Sequence, residues 1–345
     1  MLWRNRKHCS QESPGATVTR SRPDWDRPLY RCWAASVVAL WLVACLDWTI
    51  RDRIPFLAVC FYATPPFVLS ALAFLVAFLK PGQRFGNPRL VMRLTWSAWV
   101  LCAVSLLHGW LVDFRSGPAL ASNSGGLRLV YWNIARGNYA GWQTLAKQAR
   151  MLDADIVAIA EATDDEVQSR DFWETHFSGY SVLPLGEGLV VLTKGTATEV
   201  PCDVQVKDGT IRHLLLNVGN TSLDLILADL PSHPLVSRGP ILNRLFQLMQ
   251  SHRDCPTLVV GDFNTPPTSV WFKPWRKDWR HAWEVAGHGY RPTWPLPVPV
   301  LALDHVWGND QLTFHDCAGG WSRASDHRPL IVEFTLTTYG SPKTD

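Results

Sequence analysis

Among its eight cysteines the chain has no C-x-x-C pair, which argues against a zinc site of the usual spacing. Cys9, Cys32, Cys45, Cys60 and Cys102 fall in the first third, leaving Cys202, Cys255 and Cys317 further on. An odd set permits at most one bridge there, so no disulfide framework holds the fold. A strong net charge is also lacking, at +3 overall, and no internal repeat is visible. Charge is missing altogether from Ile54 to Leu79, a run of 26 residues, and Leu94 to Val112 has His108 as its one ionisable group in 19 residues. Nor does a small-residue cleavage site follow the first apolar run, Cys32 to Leu46, which some 30 polar residues precede, so a signal peptide is excluded there.

A membrane-crossing helix needs about 20 apolar residues. The second and third runs meet this, and the first does so by extending through Asp47-Trp48-Thr49-Ile50. Three spans are therefore expected over residues 31–113, the second kinked at Pro65-Pro66. Trp33, Trp41, Trp48, Trp96, Trp99 and Trp110 lie in or beside these runs, as in an interfacial belt. Residues 1–30 form a polar tail, 114–126 have linker composition, 127–338 form a second unit and 339–345 a short C-terminal tail. The charge divides accordingly: residues 1–126 carry 14 Lys+Arg against 6 Asp+Glu (+8), whereas 127–345 carry 19 against 24 (−5). The acidic balance of the second unit argues against tight non-specific binding of nucleic acid, which rests on clustered Lys and Arg.

Lys and Arg near span ends mark the cytoplasmic side. Arg20, Arg22, Arg27 and Arg31 precede the first span, and Lys80, Arg84, Arg89 and Arg93 follow the second. The other side has only Arg51, Arg53 and Arg115. Eight against three places the tail in the cytoplasm, and three crossings then carry residues 127–345 to the extracytoplasmic face, the periplasm of a bacterium.

The chemistry of that unit gathers at strand ends. Thr257 to Val260 reads as a buried strand that stops in Gly261-Asp262-Phe263-Asn264. Asp262 and Asn264 are two apart and face one volume, an acid to handle a water proton beside an amide to donate to an oxyanion. Four further strand ends carry such groups: Asn133 after Leu129-Val130-Tyr131-Trp132, Glu161 after Asp155 to Ala160, Asp304-His305 after Leu301-Ala302-Leu303, and Ser325-Asp326-His327-Arg328-Pro329 before Leu330 to Leu336. Gly141 to Leu152 has the periodicity of an amphipathic helix between the first two, a strand-helix-strand rhythm of an α/β layer. Further strands are expected at Gly188 to Lys194, Ile211 to Val218 and Leu223 to Leu230. An acid emerging from an apolar strand, as Glu161 does, suits a hard divalent cation. Asp164, Asp165 and Glu166 read as a solvated face.

In this order the strand-end Asn133, the DIVAIAE strand, GDFN, LDH and SDHRP resemble the endonuclease/exonuclease/phosphatase superfamily from about Leu127 to Leu336. The resemblance implies a two-sheet α/β sandwich and a metal-dependent phosphoric ester hydrolase, using Mg²⁺ with Mn²⁺ as the alternative. It makes Glu161 the metal ligand, Asn133 and Asn264 positioning residues, and Asp262 with His327 the proton-handling pair. Asp304 orients His327, and Asp326 is a phosphate-side or metal-proximal carboxylate. The chain departs from the pattern at Asp229, where many relatives carry a phosphate-binding His. Either Asp229 replaces it or His233 reaches back from the loop.

Two stretches keep plainer readings. Trp271 to Trp283, with Lys273, Arg276, Lys277 and Arg280 interleaved, could stack bases or meet lipid headgroups, but reads better as a surface helix with aromatic core contacts. His305 reads as structural, and His176, His213, His252, His281, His288 and His315 as surface or packing residues. The expectation is a membrane-anchored phosphoesterase touching the bilayer through three spans, with a phosphodiester or phosphomonoester substrate, phospholipid-like given the tether, and no obligate protein partner. The alternatives are a membrane-bound nuclease and a catalytically lapsed binding or scaffold relative.

Overall fold

The computed structural model describes residues 26–81, 87–116, 126–202, 204, 207 and 209–337. Most of the expected N-terminal tail, the linker core at 117–125 and the C-terminal tail lie outside these residues. Helix α1 (Asp26–Thr49) begins inside the segment assigned to the tail and has 24 residues, so the first run gives a longer helix than its apolar core suggested.

The second run is two helices, α2 (Pro55–Ala63) and α3 (Pro66–Phe78), bent by 72° where Pro65-Pro66 withholds two backbone donors. This bend is much sharper than a kink in a continuous span. At 1.5 Å per residue the 13 residues of α3 reach about 20 Å, short of the roughly 30 Å hydrocarbon thickness. Helix α4 (Pro88–Asp113) starts with Pro88 in its first turn and Asn87 accepting from the Arg89 N–H at 3.0 Å. Helices α1 and α4 are long and apolar enough to cross a membrane, and the bent pair makes a third candidate. Small side chains let the helices approach, with Ala44, Ala73, Ala77 and Ala98 buried at their contacts, while Leu42, Phe78, Trp96, Leu107 and Leu111 point outward.

The rest is a two-sheet α/β sandwich. In chain order its elements are β1 (Phe114–Arg115), β2 (Leu127–Asn133), α5 (Trp142–Met151), β3 (Ile156–Ala160), α6 (Asp165–Gln168), α7 (Arg170–His176), β4 (Ser181–Gly186), β5 (Leu189–Thr193) and β6 (Thr196–Val200). There follow β7 (Thr210–Val218), β8 (Thr221–Asp229), α8 (Gly239–Ser251), β9 (Thr257–Asp262), β10 (Arg280–His281), α9 (Ala282–Ala286), β11 (Gly289–Tyr290), β12 (Asp304–Gly308), β13 (Leu312–Gly319) and β14 (Leu330–Leu336). One sheet runs β13-β14-β2-β3-β5-β4 and the other β10-β12-β9-β8-β7-β6. Their facing side chains, among them Leu129, Ile156, Leu225, Leu258 and Val332, form the central core. α5 and α7 cover the outer face of the first sheet, α8 that of the second. β1 pairs with β11, so the segment after α4 is docked on the sandwich from its first residues.

Trp271 to Trp283 is not a helix. It makes two 3₁₀ turns, Val270–Phe272 and Trp275–Lys277, then β10. Phe272, Trp275, Trp279 and Trp283 are buried in the sandwich, which removes those rings from any stacking role, while Lys273, Lys277 and Arg280 are exposed. The described cysteines, Cys202, Cys255 and Cys317 among them, are all free.

Candidate active site

The register of the strands brings the five strand ends together. β2 and β3 are parallel, with Asn133 opposite Ala160, so Asn133 lies beside the step to Glu161. In the other sheet Asp229 pairs with Asp262 and Asp262 with Asp304, three acids abreast at one edge. Asn133 joins the sheets: its Nδ2 donates to Glu161 Oε1 and to Asp262 Oδ2, each at 3.1 Å, and its Oδ1 accepts from the Ala135 N–H. His327 completes the group. Its Nδ1 lies 2.9 Å from Asp304 Oδ2 and its Nε2 3.7 Å from Asp262 Oδ2, and Ser325 ties the loop down by donating to the Asn133 carbonyl. Ala135, Arg136, Glu161 and Asn264 all hold φ between +46° and +58°, a conformation costly for residues with a Cβ and concentrated here around one cavity.

Asn133, Asp262, Asp304 and His327 are all buried. Burial, and then the neighbouring Asp304, push the Asp262 carboxyl above its ordinary range, although the Asn264 N–H and Asn133 oppose this. Asp229 is raised by burial and by Asp262 and Glu161. Burial works against charge on His327, but Asp304, Asp262 and Asp326 outweigh it and hold the ring above its usual value. The Asp304 contact also fixes Nδ1, leaving Nε2 directed at the cavity.

The other expected residues fall into place unevenly. Asn264 lines the cavity, but its Nδ2 donates to the Leu230 carbonyl and its N–H to Asp262 Oδ1, so it shapes the strand end and orients Asp262. Asp326 accepts from Trp294 Nε1 at 3.0 Å and keeps its other oxygen without a partner. His233 is exposed, turned toward the Leu235 N–H, and absent from the cavity wall. His305 is packed away, with Nε2 on the Thr265 carbonyl and Nδ1 on His281. His213 of β7, read as a surface or packing residue, is buried against Asp224 at 2.7 Å with His252 alongside, and Asp224 is on β8 well before its active end.

Three residues were missed. Tyr131 is buried with its hydroxyl unpartnered, and its pKa is raised by burial and by Asp304, Asp262, Asp229 and Glu161. Arg238 is buried on the cavity wall and donates to the carbonyls of His233, Val236 and Asn264. Arg136 pairs with Glu161 Oε2 at 3.3 Å. The position of Tyr131, two before Asn133 on the same strand face, was the available signal for it; the two arginines come from loops that carry none. The cavity measures about 640 Å³ and is walled on one side by Val59, Tyr62 and Ala63 of α2.

The donor set fits a hard divalent cation. Glu161 stands among carboxylates whose buried negative charge is under-neutralised, Asp304 Oδ1 has no partner, and Asp262, Asp304 and His327 have ligand atoms clustered within 4.8 Å.

Residues 130–327 match the model of the endonuclease/exonuclease/phosphatase family, more than half of the chain. The protein therefore belongs to that family, and it is a phosphoester hydrolase of a divalent-metal-dependent class. It is similar to a UPF0294 protein of Vibrio vulnificus (strain CMCP6), at 27% identity over 65% of this chain and 82% of that one. Among solved structures it resembles an endonuclease/exonuclease/phosphatase family protein of Bacteroides thetaiotaomicron (13% identity, TM-score 0.51, covering 61% of this chain and 98% of that one). The human Nocturnin catalytic domain with bound sulfate is also similar (16%, 0.49, 66% and 96%).

Proposed function

We propose that the protein is a membrane-anchored, Mg²⁺-dependent phosphoesterase, with Mn²⁺ as the alternative metal, that cleaves a phosphodiester or phosphomonoester by in-line attack of water outside the cytoplasm. The observation that carries this is the His327–Asp304 contact of 2.9 Å, set on one cavity floor with the bridge from Glu161 through Asn133 to Asp262.

Glu161 is the residue that would hold the cation, with Asp262 linked to it through Asn133, and a cation held there would supply positive charge against the phosphoryl oxygens. Asp262, held by Asn133 and the Asn264 N–H, orients the water and takes its proton as the new P–O bond forms. His327 Nε2 gives a proton to the leaving oxygen as the old P–O bond breaks, and Asp304 keeps the ring oriented for this. Arg238 and Arg136 supply positive charge at the wall.

The extracytoplasmic placement rests on the eight-to-three count of Lys and Arg and on the arrangement of the helices. The end of α1 and the end of α4 both meet the sandwich, through Arg51 to the Thr268 carbonyl and the Asp113 carbonyl to the Arg291 N–H. The start of α1 lies with the end of α3, Trp33 donating to the Val76 carbonyl. This alternation of ends supports three traverses, with α2 and α3 together as the second.

The test is a panel of nucleic acid, phospholipid and phosphosugar substrates, each with and without Mg²⁺. Mg²⁺-dependent release of phosphate or phosphoester from the non-nucleic members supports the reading. Turnover confined to DNA or RNA would establish the nuclease alternative, and none on any member the lapsed one.

A further inference from the structure

α2 separates two cavities. On one side Val59, Tyr62 and Ala63 wall the catalytic cavity opposite Trp294, Leu301 and Leu303. On the other side Phe61, with Pro65 and Leu69 beyond the bend, lines a second cavity of about 420 Å³ bounded by Val104, Ser105 and Val112 of α4. Leu301 borders both. The two spaces are thus neighbours across one side chain and one helix.

This helix is fixed to the sandwich by buried polar contacts. Asp52, just before it, is 2% exposed, accepts from Ser269 Oγ at 2.5 Å and from the Val270 N–H at 3.1 Å, and Arg51 donates to the Thr268 carbonyl at 2.7 Å. Arg238 of the catalytic cavity lies over the Tyr62 ring. A tether that merely held the enzyme near a membrane would need none of this.

The second cavity sits among helix ends that turn apolar side chains outward: Phe56 is 70% exposed, Leu107 57% and Leu111 69%. Such a surface belongs against hydrocarbon. Its lining is mostly apolar on every side, with Asp47, Arg51, His108 and Asp113 as the ionisable groups at the wall. Ser105 Oγ is buried there without a hydrogen-bond partner, a donor for which a carbonyl is the natural acceptor. An ester-linked acyl chain has both the hydrocarbon and the carbonyl that this lining lacks.

We propose that the anchor is part of the substrate site: the phosphoester of a membrane lipid enters the catalytic cavity past α2, and its acyl chain with the ester group occupies the junction cavity between α2, α3 and α4. This rests on the phosphoesterase reading above. A soluble polyanion gains nothing from the apolar wall and, among the described residues of the catalytic cavity, meets few cations, Arg136, Arg238 and the His327 ring.

The test uses the full-length protein in nanodiscs with Mg²⁺ and three probes. These are bis-p-nitrophenyl phosphate, vesicles of equal parts phosphatidylglycerol and phosphatidylethanolamine, and the deacylated headgroups of those two lipids. The lipids are expected to be cleaved with kcat/KM about tenfold or more above their headgroups. Val59→Asp in the wall and Val104→Trp filling the junction cavity should each lower lipid cleavage about tenfold more than nitrophenyl ester cleavage; Val104 is 43% exposed, so the larger ring can be accommodated without disturbing the bundle. Equal rates on lipid and headgroup, equal losses on both substrates in both variants, or cleavage of the nitrophenyl ester without the lipids would overturn the proposal while leaving the hydrolase in place. No cleavage of the nitrophenyl ester, of p-nitrophenyl phosphate as the monoester control, of the lipids or of their headgroups would remove the phosphoesterase reading and this one with it.

Discussion

At the scale of the residue, Asp229 and His233 compete for one role, and geometry separates them. Asp229 stands next to Asp262 in the sheet, whereas His233 is exposed and faces its own loop. His233→Ala is therefore expected to leave kcat/KM within about twofold, and Asp229→Asn to lower it by about tenfold or more; the reverse order would show that the imidazole swings in. A second prediction concerns His281, buried in contact with His305. Burial, then Arg291, His305, Arg276 and Arg115, hold His281 well below its ordinary pKa. The folded state thus refuses a proton that the unfolded chain accepts below about pH 6.5, so this group contributes stability above that pH and loses it as pH falls. His281→Gln keeps a donor toward His305 and removes the titration. Urea unfolding should show the wild type losing ground to the variant between about pH 7 and about pH 5, by up to roughly 1.4 kcal/mol per pH unit. Parallel pH profiles would contradict the account.

At the scale of the element, β9 works because Gly261 lets it lie against β8. A Cβ at Gly261 would stand 1.8 Å from the Ala228 carbonyl oxygen, so the strands would have to part next to Asp262. Gly261→Ala is expected to cost about 3 kcal/mol or more and to reduce activity with it; a variant with wild-type melting and rate would mean that the β8–β9 register does not set the site. Strand ends were the legible part of the sequence, because an acid or amide closing an apolar run has few uses other than chemistry. Asn133, Glu161, Asp262, Asp304 and His327 could be found that way. Tyr131 carried a signal of its own, two residues before Asn133 on one strand face, but Arg238 did not, since what marks it is burial against groups far away in the chain. Trp271, Trp275, Trp279 and Trp283 recur every four residues like a helix face, yet Pro274 and two 3₁₀ turns satisfy the same spacing without one. The role of α2 was hidden for a similar reason: composition marks Ile54 to Leu79 as apolar, but not that a 72° bend turns its first half along the sandwich.

At the scale of the whole molecule, the charge asymmetry between the two parts makes the orientation testable. On the proposed topology of three traverses, alkaline phosphatase fused after Asp345 is expected to be active and green fluorescent protein at the same place dark. A bright fluorescent fusion with inactive phosphatase would mean that one of the runs, the bent pair first among them, does not cross. The central claim, that this anchored sandwich hydrolyses phosphoesters with a cation held at Glu161 and a proton carried by His327, is tested most directly by one paired measurement. Purified full-length wild type, Glu161→Ala and His327→Ala are titrated with Mg²⁺ while bis-p-nitrophenyl phosphate turnover and melting temperature are both followed. Wild type should gain activity and thermal stability with Mg²⁺, Glu161→Ala should lose both responses, and His327→Ala should keep the stabilisation while losing at least about a hundredfold in rate. Near-normal turnover in both variants would contradict the account.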